Sequence, residues 1–74
     1  MKSIQERLRD LREDHDLKQK DIAEVLGTTQ QVYSRYEKGI NEIPARHIVT
    51  LCRFYGVSAD YVLGLSDSKE KSRG

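Results

Sequence analysis

Residues 19–38 read Gln19-Lys20-Asp21-Ile22-Ala23-Glu24-Val25-Leu26-Gly27-Thr28-Thr29-Gln30-Gln31-Val32-Tyr33-Ser34-Arg35-Tyr36-Glu37-Lys38, and their pattern decides the fold. Ile22, Val25 and Leu26 stand at i, i+3 and i+4, the spacing of one apolar helix face. Gly27 follows at once; a sharp helix exit needs positive φ, which glycine adopts without steric cost. Thr29 is placed to cap a second helix, because its hydroxyl can accept from an orphan N–H of the first turn. That helix is expected to run from Gln30 to Lys38 and to stop at Gly39. The segment therefore reads as helix, tight turn, helix.

Projected at about 100° per residue, the second helix has two faces. Gln30, Gln31, Ser34, Arg35 and Lys38 share one polar arc; Val32, Tyr33 and Tyr36 share the other, with Glu37 at its edge. The polar arc holds amide and guanidinium donors and no carboxylate, whereas a solvated face commonly mixes Glu with Lys. Glutamine can pair bidentately with adenine, and arginine with guanine. Taken alone, the arc fits a plain solvated face equally well.

The flanks extend the helical reading. Ser3 and Glu6 form a capping-box pattern, and Ile4, Leu8 and Leu11 continue it, so a first helix is expected over Ile4–Asp14. Its outer face is assigned Gln5, Arg7, Arg9 and Glu13. Lys18 stands where the next helix lacks a hydroxyl cap. Pro44 is expected to open a fourth helix, with Ile48, Leu51, Cys52 and Tyr55 as its buried stripe and Gly56 as its end. Ser58 caps a short fifth helix, Ala59–Leu63, closed by Gly64. Residues 66–74 are polar and unpatterned, and disorder is expected there. The expected organisation is a domain over 1–65 and a tail over 66–74.

Composition narrows the function classes. Seventy-four residues are expected to make one small domain and to leave no room among them for a separate effector-binding or catalytic domain; the polar end is either a tail or the start of a linker to a further domain. With 36% hydrophobic and 34% charged residues, the chain fits a small charged helical domain better than a disordered or membrane protein. Strand-like alternation is absent and Pro44 is the single proline, so the fold class is all-α. The net charge of +1 does not advertise a nucleic-acid binder, so that argument rests on where the charges lie. A lone Cys52 permits no internal disulfide, and no apolar run of about 18 residues is present, so a cytoplasmic protein is expected. His15, His47 and Cys52 share no ligand spacing, and no metal or cofactor is expected. No carboxylate pair, nucleophile–base constellation or phosphate-cradling loop points to an enzyme.

The 19–39 window resembles the helix-turn-helix of lambdoid phage repressors and Cro proteins, and of the wider XRE family of bacterial regulators. Gln19 opens the first helix of the motif, Ala23 sits at the helix crossing and Gly27 makes the turn. Tyr33 and Tyr36 take the buried positions, and Glu37-Lys38-Gly39 closes the motif. The run Gly56-Val57-Ser58-Ala59-Asp60-Tyr61-Val62-Leu63-Gly64 resembles the family's closing segment, in which a short helix seals the core. Asp16 stands where members usually carry glycine. The resemblance implies a five-helix, lambda-repressor-like domain with a partly buried Arg12–Glu37 ion pair.

The same resemblance implies a sequence-specific regulator of double-stranded DNA, by default a repressor, with the Gln30–Lys38 helix in the major groove. Thr29, Gln30, Gln31, Ser34 and Arg35 are the expected base contacts. Lys18, Gln19, Lys20, Lys38, Asn41 and Arg46 are the expected phosphate contacts, helped by N–H groups at the start of the second helix and around Gly39 and Asn41. Such proteins act as homodimers on inverted repeats, and the fifth helix with Tyr61 and Leu65 is the expected interface. The alternative is a protein-interaction module, such as an antitoxin or an assembly component, with DNA binding secondary.

Overall fold

Five helices follow one another with short connections: α1 Ile4–Asp14, α2 Gln19–Leu26, α3 Gln30–Lys38, α4 Ala45–Tyr55 and α5 Ala59–Val62. The structure is a computed structural model that describes residues 2–69. Three of the helices, α1, α3 and α5, begin where a side-chain oxygen meets a free N–H group of the first turn. In α1 the capping box is complete: the Glu6 N–H donates to Ser3 Oγ, and the Ser3 N–H donates to Glu6 Oε1. Thr29 Oγ1 accepts from the Val32 N–H at the start of α3, and Ser58 Oγ accepts from the Tyr61 N–H at the start of α5. Where α2 lacks a hydroxyl cap, Asp21 reaches back to accept from the Lys18 N–H at 2.8 Å. Pro44 stands one position earlier than expected. It is the extended residue before α4, because ψ of 151° keeps it outside the first turn.

The exits share one device. Gly27, Gly39 and Gly56 are left-handed, with φ of 69°, 75° and 70°. Asp16, in the usual glycine position, adopts φ of 54° and turns the chain between α1 and α2. The residue after each of the three glycines donates its N–H five residues back: Thr28 to Ala23, Ile40 to Arg35 and Val57 to Cys52, at 2.9, 3.0 and 3.0 Å. These are Schellman-type ends, in which otherwise unpaired carbonyls are satisfied.

The core takes Leu8 and Leu11 from α1, Ile22, Ala23 and Leu26 from α2, Tyr33 and Tyr36 from α3, Leu51, Cys52 and Tyr55 from α4, and Tyr61 and Val62 from α5. Two apolar assignments shift. Val25 is exposed, while Ala23 is buried, as its expected place at the helix crossing implies. Ile48 is only half-buried, while His47 is buried against the Tyr36 ring, 6.0 Å between centroids. Burial, with Arg46 adjacent, holds the His47 imidazole below its ordinary pKa. The fifth helix ends at Val62, one residue early, and Leu63 is exposed.

Arg7, expected on the outer face of α1, is instead 2% exposed. Its Nη1 donates to the carbonyls of Tyr61 and Ser66, both at 3.0 Å, its Nε to that of Lys2, and its Nη2 to Asp67. The guanidinium also lies 4.6 Å from the centre of the Tyr61 ring. Projection explains the burial. Arg7 neighbours Leu11 on the helix wheel, and its charge is met by backbone carbonyls. Residues 66–69 accordingly run back along the body: the Ser58 N–H donates to the Lys69 carbonyl at 3.1 Å, and Lys69 pairs with Asp14. The rest of the expected tail, residues 70–74, lies outside the described residues.

Candidate nucleic-acid interface

One face of α3 is fixed by what it buries. Tyr33 is fully enclosed and meets Tyr36 edge-on, 6.4 Å between ring centres. At the far end of the helix, Glu37 receives a fork from Arg12: Nε to Oε2 at 2.8 Å and Nη2 to Oε1 at 3.0 Å. The third Arg12 nitrogen donates to the Leu17 carbonyl at 3.0 Å, and Gln19 Nε2 donates to Glu37 Oε1 at 3.2 Å. This cluster ties α1, the α1–α2 turn, the first residue of α2 and the last turn of α3 together. Bidentate geometry of this kind gives orientation as well as energy.

Burial opposes ionisation of Glu37. Hydrogen bonds from Arg12 and Gln19 and the nearby Tyr33 hydroxyl outweigh it, and the carboxyl is held below its ordinary pKa. The Tyr33 hydroxyl makes no hydrogen bond of regular geometry, but it lies close enough to favour the carboxylate. Its own ionisation is pushed well above the usual phenol range, by burial first and then by Glu37.

The opposite face of α3 opens onto a groove of about 370 Å³ lined by Gln19, Gln30, Gln31, Ser34, Arg35, Lys38 and Ile40. Its lining contains two adjacent glutamines, two cations and no carboxylate. Gln30, Gln31, Arg35 and Lys38 are exposed, and Ser34 is half-buried. Thr29 is exposed at the edge with its hydroxyl engaged in capping. Lys18, Lys20, Asn41 and Arg46 are exposed but stand outside the groove: the first two at the start of α2, Asn41 after Gly39, and Arg46 in the first turn of α4.

Two expected anion donors are already engaged. The Gly39 N–H donates to the Tyr36 carbonyl and the Asn41 N–H to the Arg35 carbonyl, because the left-handed exit of α3 turns them back onto the helix. The Gln19 amide is likewise joined to Glu37, although its side chain still borders the groove. Tyr61, an expected interface residue, is buried beneath Arg7; Leu65 is exposed. The groove residue that the sequence pattern does not single out is Ile40, a branched apolar side chain in otherwise polar surroundings.

A family profile described as helix-turn-helix matches residues 8–62, from within α1 to the end of α5. The chain belongs to this helix-turn-helix family. Among its relatives is an uncharacterized HTH-type transcriptional regulator, YobD, of Bacillus subtilis (strain 168). It is 40% identical over 65 residues, which cover 88% of this chain and 58% of that protein. The cryptic phage CTXphi transcriptional repressor RstR of Vibrio cholerae is 37% identical over 51 residues, 69% of this chain and 46% of RstR. The antitoxin PezA of Streptococcus pneumoniae serotype 4 is 31% identical over 61 residues, 82% of this chain and 39% of PezA. The chain thus spans about half the length of the curated relatives it matches. Within the helix-turn-helix match fall the Arg12–Glu37 fork and the whole groove; Arg7, Ser66 and Asp67 fall outside it.

Proposed function

We propose that this protein is a transcriptional regulator that binds double-stranded DNA sequence-specifically and acts as a repressor. One observation carries the reading: a carboxylate-free groove along the exposed face of α3, lined by Gln30, Gln31, Arg35 and Lys38. Family membership and two relatives, one named a transcriptional regulator and one a transcriptional repressor, support it.

In this reading α3 enters the major groove by its N-terminal end. Gln30 and Gln31 read base edges there, with adenine the natural bidentate partner of a glutamine. Arg35 reads a guanine one turn further along, Ser34 makes a lesser contact, and Thr29 meets a thymine methyl while its hydroxyl caps the helix. Lys38, Lys18, Lys20, Arg46 and the Asn41 side chain hold phosphates, which set register without reading sequence. Gln19 borders the same phosphate path, and its amide, joined to Glu37, orients the start of α2.

One such helix reads only a few base pairs, so two copies on an inverted repeat, with half-sites about one helical turn apart, complete the recognition. Leu63 and Leu65, exposed just beyond α5, are the apolar surface for that pairing. The reading as a protein-interaction module is less well supported, because the residues lining the groove include no aromatic ring. The test is selection of duplexes from a random pool, with affinity for the winner measured at two salt concentrations. An enriched inverted repeat supports the proposal; weak, salt-labile binding with no enriched sequence overturns it.

A further inference from the structure

We infer that Ile40 is a specificity-determining residue, whose side chain seats on the 5-methyl group of a thymine. The inference rests on the DNA-binding reading of the groove and adds a second apolar contact, at the opposite end of α3 from Thr29. Ile40 follows the left-handed Gly39, and its N–H closes α3 by donating to the Arg35 carbonyl at 3.0 Å. An apolar residue in that place ordinarily folds back onto the helix and packs against the residue whose carbonyl it caps. Val57 does so after α4: it caps Cys52, both side chains are in the core, and Val57 is 5% exposed.

Ile40 is placed differently. The residue it caps is Arg35, and Ile40 remains 67% exposed. Leu65 is also left open after Gly64, but it stands away from the groove, whereas Ile40 lines it together with Arg35, Lys38 and the two glutamines. A branched aliphatic side chain among those donors can gain nothing from phosphate oxygens or from the polar edges of bases. The thymine methyl is the apolar group that a base edge presents in the major groove. Covering both the methyl and Ile40 removes apolar surface from water, which is favourable without any directional bond. The gain discriminates thymine from cytosine and from uracil.

The experiment uses the duplex enriched by site selection, with each thymine of one half-site replaced in turn by uracil, which deletes the methyl and leaves the hydrogen-bonding pattern intact. Wild-type protein is expected to lose about fourfold in affinity, the worth of one methyl-sized group, at the position Ile40 covers, which is distinct from the thymine met by Thr29 and keeps its methyl sensitivity in a Thr29→Ser control. Ile40→Ala is expected to bind the thymine and uracil forms of that position alike, and to remain as sensitive as wild type to changes of the purines. Circular dichroism verifies that the exposed substitution leaves the fold unchanged. Equal loss by Ile40→Ala on both forms, or no thymine–uracil difference at any position, overturns the inference while the DNA-binding reading stands. A pool that yields no enriched duplex overturns both.

Discussion

Arg7 and Arg12 belong to one helix, both are withdrawn from solvent, and their charges are satisfied by opposite means. Arg12 meets a carboxylate: Glu37, itself only 5% exposed at its side chain, receives the fork and ties α1 to the last turn of α3. Arg7 meets main-chain carbonyls, those of Tyr61 and Ser66, and stacks on an aromatic ring; its carboxylate partner, Asp67, is 88% exposed. One arginine organises the motif that presents the groove, and the other fastens residues 66 and 67 to the back of the domain. A buried charge thus needs only a converging set of oxygens, and the backbone can supply them.

The contrast can be broken experimentally, and the largest effect is expected at the fork. Arg12→Ala strands the Glu37 carboxylate in the interior and is expected to cost about 3–5 kcal/mol in urea denaturation. A loss under about 1 kcal/mol would show that the fork is no more than a surface pair. Arg7→Met keeps the aliphatic stem and leaves three carbonyls, those of Lys2, Tyr61 and Ser66, without their donor. It is expected to cost about 1–3 kcal/mol; a loss greater than that of Arg12→Ala would invert the comparison.

Acid should weaken one side of the contrast more than the other. The folded Glu37 carboxyl sits below its ordinary pKa of 4.5, so the folded state binds fewer protons than the unfolded chain there. Stability from this group is therefore complete above about pH 5 and is lost as pH falls through the ordinary value and then the lower folded one. Urea midpoints of wild type and Glu37→Gln, measured from neutral pH down to about pH 3.5, should converge as the pH falls. A constant gap would remove ionisation from the account of the fork. The smallest effect is expected at Asp67→Asn, within about 0.5 kcal/mol, because so exposed a pair is screened by water. A larger loss would mean that Arg7 depends on its carboxylate after all.

The same two arginines mark how far the sequence can be read. Helix boundaries are legible where a residue type has a local reason: Ser3 with Glu6, Thr29, Ser58 and the glycines all act on neighbours a few positions away. The Arg12–Glu37 pair is legible through family resemblance, since both residues lie inside the matched stretch. Arg7 is not, because its partners are carbonyls from residues 61 and 66, and carbonyl oxygens are common to every residue type. The N–H groups of Gly39 and Asn41 show a related limit: the glycine announces a helix exit, but not that both N–H groups turn back onto helix carbonyls. Ile40 is silent in the sequence because the exposure of an apolar residue after a helix depends on a partner elsewhere, and nothing near it in the chain announces whether one exists.

The Arg7 guanidinium has a mechanical consequence. It touches the carbonyl of Lys2 on one side and that of Ser66 on the other, so the two flanks of the five-helix body meet at one clasp. Tension applied between those flanks would load the clasp, and with it the ties of Lys69 to Ser58 and Asp14, before it reached the helices.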